Sequence, residues 1–165
     1  MAQLNLILFT HFRVDHRGDF PALIKSSWLE ERKRLLPIYG PEGNDFMPAT
    51  AEFVADFFGE HGAYRYLSEL SAPGQESDYK LRPHKVAGSE KPIEAFRNGD
   101  LAAYSVRVIH GGVPALAWRI EVDGKLIVFS GDTNGEGRIT HRSEIKKRYL
   151  GPAEFANDLD RFAVK

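Results

Sequence analysis
An α/β fold is predicted from three features of the 165-residue sequence. Short apolar runs with strand character recur along the chain. Segments with helical spacing lie between the early ones. The second half carries a hairpin signature, Asp123 and Gly124 between two apolar runs.

The elements follow in order. Residues 4–9 form a short apolar run suited to a buried strand. Residues 10–18 are polar and crowded with His, Asp and Arg, which reads as a loop. Asp19 followed by Pro21 marks a helix start, a capping side chain ahead of a proline in the first turn. Phe20, Leu23, Ile24 and Trp28 then give that helix one apolar face. Residues 36–39 read as a strand ended by Gly40 and Pro41. Thr50 is placed to cap a helix through Phe53, Val54, Phe57 and Phe58, and residues 64–70 read as another helix. Residues 71–77 and 86–99 read as loops by their Gly, Pro and charge content. Strands are expected at 101–109, 115–122 and 125–130, the last two joined by the hairpin turn. Beyond them the sequence is polar apart from a helical stretch at 143–149. One domain over residues 1–165 with a mixed sheet accounts for this pattern.

Composition narrows the function classes. Hydrophobic residues make up 42% and charged residues 27%, an ordinary globular balance. The formal net charge of -1 gives no basic field of the kind that marks a nucleic-acid binder, although a nucleic acid remains admissible as a substrate. The sequence has no cysteine, so a metal site must draw on His, Asp or Glu and no disulfide framework exists. No apolar run approaches the ~20 residues of a membrane span, and residues 4–9 lack the flanks of a signal peptide. A cytoplasmic location without a membrane partner is the default expectation.

Two loops that follow strands are rich in metal-capable groups, and ligands of α/β proteins gather at strand carboxyl ends. The first holds His11, Asp15 and His16. Neutral imidazole nitrogen and charged carboxylate oxygen together suit zinc and its neighbours. Taken alone, the segment reads slightly better as a solvated polar loop. His110 ends the strand from residue 101, and Asp132 follows the hairpin. A lone His after a strand is usually structural and a lone Gly-Asp is usually a turn. The force lies in three strand ends that each deliver a ligand type. Phe53, Phe57, Phe58, Tyr64 and Tyr66 read as core rather than pocket lining, and Lys25, Arg32, Lys33 and Arg34 as a solvated helix end. His61 and His84 read as ordinary surface residues in loop or helix.

The loop His11, Phe12, Arg13, Val14, Asp15, His16 resembles the metallo-β-lactamase superfamily motif His-x-His-x-Asp-His. The superfamily's next landmarks appear in order: His110 after the central strand, and Ser-Gly-Asp-Thr at residues 130–133. Gly-Asp-Phe-Pro at 18–21 and Leu-Pro-Ile-Tyr-Gly-Pro at 36–41 are similar to the ribonuclease Z-like and arylsulfatase-like branch. The resemblance implies an αββα sandwich with metals at one edge of the packed sheets. It implies His11 and His110 at a first metal, Asp15 and His16 at a second, and Asp132 bridging. It also implies a metal-held hydroxide attacking a phosphodiester or related ester, with Asp15 as the catalytic carboxylate.

Two departures modify that expectation. Arg13 stands where the motif has its second histidine, and a guanidinium offers no lone pair. One zinc ion is therefore expected rather than two. Arg13 is either a broken ligand position or a new group that pairs with Asp132 or clamps an anionic substrate. The sandwich also looks incomplete ahead of residue 4 and shortened between Asp132 and His141, with His141 as candidate last ligand. Missing strands would favour self-association. A catalytically impaired remnant and a lactonase using the same site are the competing functions.

Overall fold
The computed structural model describes residues 3–72 and 79–133. Its strands form two sheets rather than one mixed sheet. The first has three parallel strands in the order β1 (Ile7–Leu8), β2 (Leu36–Pro41) and β3 (Leu81–Val86), with Ile7 opposite Ile38 and Leu36 opposite Leu81. The second is an antiparallel meander of β4 (Ile93–Asn98), β5 (Leu101–His110), β6 (Val113–Val122) and β7 (Lys125–Phe129). Two α-helices, α1 (Phe20–Leu29) and α2 (Thr50–Phe58), complete the described elements together with short 3-10 turns at Val14–His16 and Arg65–Leu70.

Two apolar layers hold these elements. One joins the parallel sheet to the helices: Phe9, Ile38 and Leu36 pack with Ile24 of α1 and Phe53, Val54 and Phe58 of α2. Phe12 stacks on Phe53 with ring centroids 4.2 Å apart, and Phe9 and Phe20 close around the pair. The other lies between the sheets, where Leu6, Leu8, Tyr39 and Val86 meet Ala103, Leu116 and Trp118. The Trp118 indole N–H donates to the Phe9 carbonyl at 2.9 Å and satisfies its one polar atom. The Leu116 N–H donates to the Thr10 carbonyl at 2.9 Å, a second tie between the sheets beside the first loop.

The hairpin forms as expected. Asp123 and Gly124 take φ of 50° and 71°, the two positive values of a type I′ turn. Several expectations are corrected. The first strand shortens from residues 4–9 to Ile7–Leu8. Strand β2 runs through Gly40 to Pro41, because β1 stops at Leu8 and leaves β2 paired on one side, where proline is tolerated. Residues 86–99 are not all loop: β4 occupies Ile93–Asn98, with a bulge between Glu94 and Phe96. Strand β3, with Arg82, Pro83 and Lys85, escaped the sequence reading. Both β3 and β4 end their sheets among the described residues, and edge strands carry the charge and proline that hide a strand pattern.

The caps also differ. Asp19 precedes α1 without a side-chain cap bond. Thr50 is buried, and its hydroxyl donates to the Pro41 carbonyl at 2.9 Å instead of capping α2. The Ala49 N–H is satisfied by the Glu52 carboxylate at 2.8 Å. The helix expected at 64–70 is a 3-10 turn. Arg32 is buried rather than solvated, with donors on the Arg34 and Leu35 carbonyls, because its fork closes the end of α1. His84 lies on β3, stacked on Tyr39 at 4.6 Å. The expected helix at 143–149, the shortened stretch after Asp132 and His141 lie outside the described residues.

Candidate metal centre
Three strand ends build the site. Strand β1 leads into residues 9–18, which turn over the Phe9, Phe12 and Phe53 cluster. Phe12 faces that core, which places His11 on the opposite side of the extended backbone. The Arg17 Nε donates to the Phe12 carbonyl, and its guanidinium lies over the Phe53 and Phe57 rings at 5.1 and 5.6 Å. Strand β5 delivers His110, and the residues after β7 deliver Asp132.

Gly131 permits the closest approach in this region. Its φ of 61° is left-handed, and an added Cβ would fall 2.8 Å from the Thr10 Cβ. Glycine there lets the Asp132 loop close against the Thr10 side chain.

Side chains converge as a result. The His11 and His16 ring centroids are 4.2 Å apart, and those of His11 and His110 5.0 Å. Asp132 places one carboxylate oxygen 3.2 Å from His16 Nε2 and the other 3.8 Å from His110 Nε2. Asp15 is exposed and reaches His16 Nε2 at 3.6 Å from the rim. The ligand atoms of His11, His16 and Asp132 all lie within 4.8 Å of one another.

His11 is the most informative member. It is fully buried, with Thr10 Oγ1 3.1 Å from its Nδ1. Its Nε2 is buried without a hydrogen-bond partner. A buried unpartnered lone pair is unfavourable unless something accepts it. Burial, then the neighbouring His16 and His110, pull its imidazolium down to about 4, so the ring is neutral near pH 7. With Thr10 Oγ1 beside Nδ1, the neutral tautomer that carries its proton on Nδ1 presents Nε2 as a ligand, the arrangement that orients metal-binding histidines. Two imidazoles and a carboxylate fit a divalent ion with a zinc-like preference.

Arg13 does not pair with Asp132. Its NH1 donates to His110 Nε2 at 3.2 Å, while the Asp132 carboxylate goes to His16 and His110. Thr10, Arg17 and Gly131 were missed as positioning residues. Their roles depend on contacts that sequence proximity does not record, although Thr10 adjoins His11 and Gly131 lies within the Ser-Gly-Asp-Thr run.

The two-sheet fold and the His/Asp edge define a protein of the metallo-β-lactamase fold. No protein-family model matches the chain. In sequence it is similar to ribonuclease Z of Mycobacterium bovis (strain BCG / Pasteur 1173P2), 30% identical over 144 residues that cover 80% of this chain and 45% of that protein. Ribonuclease Z of Pyrococcus horikoshii is 24% identical over 191 residues, covering 96% and 60%. In structure it is similar to human tRNase Z, short form, with a TM-score of 0.56 and 17% identity over 81% of this chain and 50% of that one. The chain is a ribonuclease Z-like protein of the metallo-β-lactamase fold. It spans 45% of the length of the mycobacterial relative and 60% of the archaeal one. The archaeal match covers 191 residues against 165 here, so that relative carries residues inside the match without a counterpart in this chain.

Proposed function
We propose that the chain is a metal-dependent hydrolase that cleaves a phosphodiester of RNA at a single zinc ion held by His11, His16 and Asp132. The observation that carries this reading is the buried, unpartnered Nε2 of His11 beside His16 and Asp132. The ribonuclease Z relatives favour RNA among phosphodiesters. A bound divalent ion supplies Lewis-acid charge and a water of lowered pKa.

The chain's own residues do the rest. His11 is fixed by Thr10 and contributes a neutral donor. Asp132 offsets the charge of the centre and holds His16 in place. Asp15, an exposed carboxylate at the rim 3.6 Å from His16 Nε2, would take up the proton released by the attacking water. His110 stands beside the centre with its Nε2 on Arg13. His141 stays a candidate further ligand. We further propose a cytoplasmic location; no helix among the described residues is long and apolar enough to cross a membrane.

One observation favours an impaired remnant over an active enzyme: Arg13 occupies the nitrogen that His110 would give to a second ion. Parallel assays separate the readings. The zinc-loaded chain is given a single-stranded RNA oligonucleotide, a bis-aryl phosphodiester and a lactone, each with and without chelator. Chelator-sensitive cleavage of the two phosphodiesters is expected. Turnover of the lactone alone would replace the proposed substrate class. Binding of zinc without turnover of any of the three would establish the remnant.

A further inference from the structure
The position that His110 faces carries a fixed cation. Arg13 NH1 donates to His110 Nε2 at 3.2 Å, across a sequence separation of 97 residues. A guanidinium stays protonated and has no lone pair, so this nitrogen accepts and the His110 proton sits on Nδ1. The accepting lone pair is the one His110 would offer to an ion. The nitrogen faces the centre, since an Asp132 oxygen lies 3.8 Å from it. Asp132 nonetheless goes to His16 and His110, so Arg13 keeps its charge without a carboxylate in contact among the described residues.

We propose that Arg13 is the resident cation of the position His110 faces: it confines the chain to one divalent ion at His11, His16 and Asp132, and presents its remaining N–H groups to an anionic phosphoryl oxygen beside that ion. The inference rests on the single-zinc reading above and assigns the substrate-binding role that reading leaves open. Two features favour an anion there. The planar fork of arginine matches two phosphate oxygens, which a point charge does not. Its hydrogen-bond partner is an imidazole nitrogen rather than a carboxylate, which orients the guanidinium without neutralising it. Arg13 is exposed, so a substrate reaches it directly.

The test uses the zinc-loaded chain, Arg13→His, Arg13→Gln and Arg13→Lys, with thermal melts to show that each is folded. Bound zinc per chain is read by elemental analysis, and affinity for inorganic phosphate by titration calorimetry. One zinc is expected in the wild type and two in Arg13→His, because His110 is released and a neutral donor is added. Arg13→Gln keeps one zinc but weakens phosphate by about fivefold or more, and Arg13→Lys falls between. Two ions in the wild type, or one in Arg13→His, would overturn the claim that Arg13 closes a position. Unchanged phosphate affinity in Arg13→Gln would overturn the anion role. A wild type that binds no zinc overturns the function proposed above, whereas the phosphate comparison still decides the role of Arg13, so the two failures are distinct.

Discussion

At the scale of single residues, His11 and Thr10 act as one unit. The Thr10 hydroxyl occupies His11 Nδ1 at 3.1 Å, and the buried Nε2 has no other hydrogen-bond partner. Removing an oriented outer partner of a metal-ligating histidine typically costs 10–100-fold in affinity. Thr10→Val is therefore expected to weaken zinc by roughly tenfold or more, with little change in melting temperature, as measured by competition with a chromogenic chelator. An unchanged zinc affinity would show that Thr10 does not orient the ring. His11, Asp15, His16, His110 and Asp132 were all legible in the sequence as metal-capable residues, because each sits in or beside a short motif at a strand end. The partner of Arg13 was not legible. Nothing local distinguishes Asp132 from His110 as its acceptor, and the choice is made by how the first loop and the end of β5 meet. Like charges 4 Å apart repel by ~4 kcal/mol at an effective dielectric near 20, which is why a guanidinium and a second ion exclude one another there.

At the scale of elements, the site depends on how closely the Asp132 loop approaches the first one. Gly131→Ala puts a Cβ 2.8 Å from Thr10 Cβ at a φ of 61°. A non-glycine residue in this region costs on the order of 1–3 kcal/mol, so a loss of stability in that range is expected in urea denaturation. Weaker zinc binding should accompany it, since Asp132 moves with the turn. A variant with wild-type stability and zinc affinity would contradict the account of the turn. Helix α2 makes a separate contribution. Phe53 is buried among Phe9, Phe12 and Phe20, directly behind the first loop. Phe53→Ala is expected to cost about 3–5 kcal/mol in the same experiment. The periodic elements α1, α2, β5, β6 and β7 were readable because their apolar positions repeat. Edge strands β3 and β4 were not, because charge and proline break the alternation. The cap of α2 was misread because Thr50 is used for packing and for the Pro41 carbonyl.

At the scale of the whole molecule, β1 and β7 each end a sheet among the described residues. Between them lies an apolar cavity of about 300 Å³, lined by Leu6, Leu8, Trp118, Ile120 and Phe129 among others. Leu126, Val128 and Phe129 on β7 are 45%, 47% and 54% exposed. Open edges with exposed apolar side chains promote association. Concentration-dependent self-association is expected in sedimentation velocity, reduced by Val128→Lys; a monodisperse monomer at all concentrations would contradict it. The two-sheet division was implied by the resemblance to the metallo-β-lactamase superfamily but not legible strand by strand, since parallel and antiparallel strands look alike one at a time and pairing is decided by distant segments. The proposed centre makes the chain a metalloprotein that holds one divalent ion by strand ends of both sheets. Zinc content of the purified chain after dialysis against zinc and gel filtration, compared with Asp132→Ala, tests it most directly. One zinc per wild-type chain and substantially less in Asp132→Ala are expected. A wild-type chain free of zinc, or an Asp132→Ala chain that retains it fully, would rule the centre out.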